Sequence, residues 1–170
     1  MKKLLFFAVV ILGFTAVSFG QTGVNATATA SATIVGPIAI ANQADLNFGN
    51  LAVNGGVAGT ASLTDDITTV LSTTGGVVAV AGGDALSCAQ FLVSGTVGYA
   101  YSITQPVDVT LTGPSSSMLL TLTTLPASKT ISATAAQNVL YVGGSLAVAG
   151  DQGAGLYKNE SDLKVTVNYN

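Results

Sequence analysis

The sequence predicts an all-β protein, an immunoglobulin-like or Greek-key sandwich of antiparallel strands behind a helical signal peptide. Three observations predict it. Short runs that alternate apolar with polar residues recur along the chain, with Gly, Pro, Asn and Asp turns about every 8–12 residues. Thr, Val, Ala, Gly and Ser dominate, and β-branched side chains suit a pleated strand while glycine punctuates turns. No amphipathic helical period follows the leader. An up-and-down barrel is the other architecture this spacing allows.

The elements follow in order. Lys2 and Lys3 precede an apolar run from Leu4 to Phe19, too short for a membrane span, and Ser18 and Gly20 are small residues of the kind a signal peptidase reads. Residues 1–20 are thus expected as a signal peptide cut after Gly20. Residues 21–35 are expected as an extended N-terminal strand and 36–170 as one sandwich domain. In the extended segment Val24, Ala26, Ala28, Ala30, Ala32 and Ile34 fall on one edge, and Asn25, Thr27, Thr29, Ser31 and Thr33 on the other. Gly36-Pro37 breaks that run, and Ile38–Ile40 opens a short strand. Asn42–Asn50 (NQADLNFGN) reads as turn, short strand and turn; Gly55, Gly56 and Gly59 make the next connection, and Ala61 and Leu63 open a strand. Asp65 and Asp66 read as turn or helix-cap residues before Ile67–Leu71, a strand or a short helical turn.

Strands are expected at 77–81, 89–93, 99–104, 107–112, 118–125 and, as an exposed edge, 129–133. Val139–Val142 and Leu146–Ala149, separated by Gly143-Gly144, read as a tight hairpin. Leu163, Val165, Val167 and Tyr169 share one face of the terminal strand. About ten strands result.

Chemistry is scarce. Beyond the leader there are three lysines (Lys129, Lys158, Lys164), eight acids, no Arg and no His. Nucleic acid and anionic membranes require clustered cations, so neither is an expected partner, and no integral span remains once the leader is cut. Without histidine the usual base of a nucleophilic triad is missing, and a Ser–Lys pair would have to use lysines that sit in polar contexts. Adjacent Asp65 and Asp66 would point to opposite faces of a strand, which suits no carboxylate pair. Asp151, Asn159, Glu160 and Asp162 could offer oxygens to calcium but match no known loop spacing. Cys88 is alone and reads as a small core residue. Tyr99, Tyr101 and Tyr141 read as core or sheet-edge residues, with sugar stacking the alternative. No enzyme, catalytic residue, metal or cofactor is expected.

Three segments, NQADLNFGN (Asn42–Asn50), LYVGGSLAVAGDQGAGLY (Leu140–Tyr157) and VTVNYN (Val165–Asn170), resemble the secreted bacterial family catalogued as domain of unknown function 4402. That family is similar to spore coat protein U and to subunits of chaperone–usher-type pili. The resemblance implies a sandwich that lacks one strand, completed when a neighbour's N-terminal segment adds to it. The donor would be Val24–Ile34, with Leu163, Val165, Val167 and Tyr169 on the terminal strand. Two features depart from many pilins: a single Cys where a disulfide is common, and an alanine-rich donor face that needs shallow pockets. The same segment could instead be the domain's own first strand. The function so implied is a structural subunit of a surface fibre or coat, located from periplasm to cell surface. Its partners would be other copies or related subunits, and a periplasmic assembly chaperone. The alternative is a monomeric secreted module that binds a glycan or matrix component.

Overall fold

The computed structural model describes Gly20 and residues 23–170, so the segment expected as a signal peptide lies outside the described residues except at Gly20. The chain divides into two units, one ending at Ile34 and one spanning Val35–Asn170. Residues 23–34, in the first, carry no helix or strand. In the second, thirteen strands and a single 3-10 turn are described, and the chain forms an all-β sandwich of antiparallel sheets. No helix among the described residues is long and apolar enough to cross a membrane.

One three-stranded sheet joins β1 (Ala39–Ala44), β6 (Ala89–Ser94) and β11 (Val139–Val142) in the order β1-β6-β11. A second joins β10 (Ser128–Thr130), β7 (Ala100–Thr104) and β13 (Thr166–Tyr169) in the order β10-β7-β13. The largest sheet runs β4-β3-β12-β9-β8, from β3 (Gly59–Leu63), β4 (Leu71–Gly75), β8 (Asp108–Thr112), β9 (Ser117–Leu122) and β12 (Gly144–Val148). A two-stranded ribbon pairs β2 (Asn50–Val53) with β5 (Val77–Val80). The period-2 alternation sends Ala61, Leu63, Val93, Tyr101, Leu120, Leu122, Leu140, Val142, Leu146 and Val148 into one shared core. Each fully buried large aliphatic contributes about 1.5–3 kcal/mol, and these side chains carry the fold.

Several expectations need correction. Val24–Ile34, expected as an extended strand, enters no ladder among the described residues. The 139–149 region is not a hairpin. β11 pairs with β6 and β12 pairs with β3 and β9, so the chain crosses between sheets at Gly143. A Cβ at Gly143 would collide with the Leu63 and Thr64 carbonyls, so glycine is needed there for close backbone approach. β2 (Asn50–Val53) falls between the expected Asn42–Asn50 turn and the Gly55–Gly59 connection, where no strand is expected, and β1 continues to Ala44, into the expected turn. Asp65–Thr69 forms a turn, and β4 starts only at Leu71.

Candidate functional site

Two edge strands leave a seam in the 35–170 unit. Among the described residues β1 pairs only with β6, and β13 only with β7, so each offers one unpaired backbone edge. At their closest residue pairs the two strands come within 8 Å, less than the roughly 9.5 Å that a strand paired to both would occupy, so room for one lies only where they diverge. Their directions follow from the connections. β6 reverses through the turn at residues 95–99 into β7, β1 is antiparallel to β6, and β13 is antiparallel to β7. β1 and β13 therefore run opposite ways. A strand laid between them must be parallel to one and antiparallel to the other.

The seam's inward side chains are apolar. Ile38 and Ile40 come from β1 and its approach; Leu163, Val165, Val167 and Tyr169 come from β13 and its approach, all packed on the core. Val165 and Val167 are each only 8% exposed. Opposite Val167 and Tyr169 in register lie Ile103 and Tyr101, which put their side chains on the same inward face. The Tyr101 hydroxyl is buried without a hydrogen-bond partner among the described residues, and burial pushes its pKa up.

One end of the seam is tied. The Tyr169 hydroxyl accepts the Thr96 N–H at 2.9 Å, and the Gly36 N–H donates to Thr96 Oγ1 at 3.0 Å. Tyr99 meets the Tyr169 ring edge-on, with centroids 6.1 Å apart. Gly95 makes room for this arrangement, because a Cβ there would strike the Tyr169 hydroxyl and Ile131. Thr96 thus fixes the entry to β1 and the end of β13 together.

The expected donor residues are open to solvent: Val24 is 98% and Ile34 96% exposed, and Ala26, Ala28, Ala30 and Ala32 are exposed as well. The structure thus brings the terminal-strand residues Leu163, Val165, Val167 and Tyr169 into one apolar wall and leaves the six segment residues without a ladder. Sequence reasoning missed the opposite wall, Ile38 and Ile40. Their signal was the apolar pair two residues apart straight after Gly36-Pro37.

The remaining polar groups serve local structure. Asp66 Oδ1 accepts the Thr68 N–H at 2.9 Å, and its hydrogen bonds with Thr68 hold the carboxyl below its ordinary range. Asn159 Oδ1 accepts the N–H groups of Ser161 and Asp162, while Asn159 Nδ2 donates to the Thr110 carbonyl and locks that loop onto β8. Lys158 pairs with Glu160 at 2.5 Å in solvent, a contact worth little. Lys129 donates to the Gln137 carbonyl at 3.0 Å. Cys88 is fully buried, with Sγ 3.2 Å from the Asp66 carbonyl. Tyr101 is core, whereas Tyr99 is 40% exposed and sits in the turn against Tyr169. A separate open cleft of about 460 Å³ lies beside the β2–β5 ribbon, lined by Phe48, Leu71, Val80, Asp84 and Leu86 among others.

A family model matches residues 38–169, from the residue before β1 to the end of β13. The chain belongs to the family described as Domain of unknown function (DUF4402). The match takes in both walls of the seam and two of the three segments that carry the resemblance, and it reaches all but Asn170 of the third. Val24–Ile34 lies upstream of the matched DUF4402 region. No curated protein and no solved structure matches the chain.

Proposed function

We propose that this DUF4402 protein is a structural subunit of a bacterial surface fibre or coat, exported and assembled by β-strand addition. The observation that carries the reading is the paired free edges of β1 and β13 over an apolar floor, in a chain whose own alternating segment enters no ladder. Where the two edges stand far enough apart, an added strand would gain ladder bonds on both sides, each worth about 0.5–1.5 kcal/mol net, and each buried methyl would add about 0.8 kcal/mol. An unpaired pair of edges over apolar side chains is also a hazard that natural sheets cover, which gives an assembly chaperone the same seam to hold before a subunit arrives.

The donor is a second copy or a related subunit. β1 is irregular, with a register shift between Asn42 and Ala44, whereas the alternation of Leu163–Tyr169 is unbroken. The more regular edge for an antiparallel ladder is therefore β13, and antiparallel pairing is the more stable kind. A strand antiparallel to β13 runs in the same direction as β1. The chain's own segment would need a parallel crossover of roughly a dozen residues to do this, and only residues 35–38 connect it to β1.

Deleting residues 21–35 tests the reading. The shortened protein should stay monomeric by light scattering and should accept a synthetic peptide of residues 24–34. Polymerisation of the deletion protein as before would refute donation from this segment. The second reading, a monomeric binding module, draws on the cleft beside the β2–β5 ribbon, which pairs apolar walls with Asp84. A stable monomer of the exported chain that holds a sugar on a glycan array would favour it.

A further inference from the structure

The seam is shallow before anything enters it. Val165 and Val167 are already nearly closed off, Ile103 beside Val167 is 9% exposed, and Val93 beside Ile40 is 1% exposed. Ile38, Ile40 and Tyr169 are half-buried and add bulk on both walls. A strand that pairs with β1 and β13 lays its inward side chains over this filled floor. The space beneath it suits methyl groups rather than leucine-sized chains, because a packed interior tolerates added methylenes poorly. The chain's own segment has the matching profile. Four successive inward positions, Ala26, Ala28, Ala30 and Ala32, are alanine, and the larger Val24 and Ile34 stand only at the ends.

Resting on the strand-addition reading above, we propose that the seam is a size filter. It accepts from a second copy of this chain a strand whose central inward residues are alanine, and it rejects strands with larger apolar residues there. Recognition then comes from backbone pairing along two edges, and side-chain bulk acts as the criterion of exclusion. Greater hydrophobicity at these positions weakens association, the reverse of what a seam with deep pockets would show.

The test uses the full exported chain in a concentration series read by light scattering. Ala28→Leu, and the double variant Ala28→Leu/Ala30→Leu that resists a two-residue slip, should weaken association at least tenfold, the scale of ~1.4 kcal/mol of overpacking. Thr29→Leu, on the opposite face of the segment, should stay within about twofold of the wild type on the same scale. Residues 28–30 are exposed in the structure, so these changes leave the sandwich core untouched, and an unchanged circular dichroism spectrum checks that. Equal or tighter association of the Ala28→Leu chain would overturn the filter, and so would an equal loss with Thr29→Leu. A wild-type chain that does not associate, and whose state is unaffected by removing residues 21–35, would overturn the strand-addition reading itself.

Discussion

Tyr169 does two things at one end of the seam. Its ring covers the inward face beside Tyr99, and its hydroxyl takes up the Thr96 N–H that the turn leaves without a ladder partner. Leaving that part-buried N–H unsatisfied costs about 1–3 kcal/mol. Tyr169→Phe keeps the ring and removes the acceptor, so the melting temperature should fall by several degrees, roughly 2–4 °C per kcal/mol for a domain of this size. The same variant should loosen Thr96 and with it Gly36, which a rise in amide exchange at Gly36 would report. A variant that melts as the wild type does, with Gly36 equally protected, would mean that water replaces the hydroxyl at no cost. At this scale the sequence was legible where alternation was unbroken: Leu163, Val165, Val167 and Tyr169 share the inward face as read. Thr96 carried no such signal. Its role depends on a side chain 73 positions away in sequence, which no local pattern encodes.

Strand existence followed from local pattern, and strand partnership did not. β6, β7, β8, β9 and β11 lie within two or three residues of their expected bounds, because each alternates or forms an apolar run between turn residues. β2 escaped notice because Asn50–Val53 is four residues long and bounded by Gly49 and Asn54, so connection and strand look alike. The Gly143-Gly144 pair resembles a hairpin turn, yet it carries the chain between sheets, and only the close approach of the Leu63 and Thr64 carbonyls distinguishes the cases. Pairing also sets the polarity of any added strand. With copies that each carry a single new cysteine, Thr33→Cys should cross-link to Lys164→Cys, and Asn25→Cys to Asn170→Cys, through a short thiol-reactive linker. Those pairs are the near ones for a strand antiparallel to β13. The swapped pairs, Thr33 with Asn170 and Asn25 with Lys164, lie a strand-length apart, roughly 20 Å at about 3.3 Å per residue. Dominant cross-linking of the swapped pairs would show a strand parallel to β13, the direction a folded-back segment of the same copy would take. Cys88 is buried and does not compete.

At the scale of the whole molecule, the outer surfaces are as informative as the core. On the five-stranded sheet, Ser72, Ser62, Ser145, Thr121 and Asp108 form one cross-strand row, with Ser62 donating to Ser145 at 2.9 Å. Such a surface has little charge to keep copies apart, in line with the 8% of charged residues in the chain. The proposed association through the seam would tie folding to assembly, because a strand that binds only the folded sandwich stabilises it by mass action. The melting temperature of the full chain should therefore rise with protein concentration. A hundredfold excess of subunit over the dissociation constant corresponds to about 2.7 kcal/mol, several degrees for a domain of this size. Removing residues 21–35 should flatten the dependence, and adding the 24–34 peptide should restore it. Salt should hardly change the slope, since no charged side chain lies among the six inward residues of the segment or on the seam's apolar walls, and there is little for counterions to screen. A melting temperature that ignores concentration in the full chain would separate folding from assembly. A steep salt dependence would move the contact from the seam to the acidic surface.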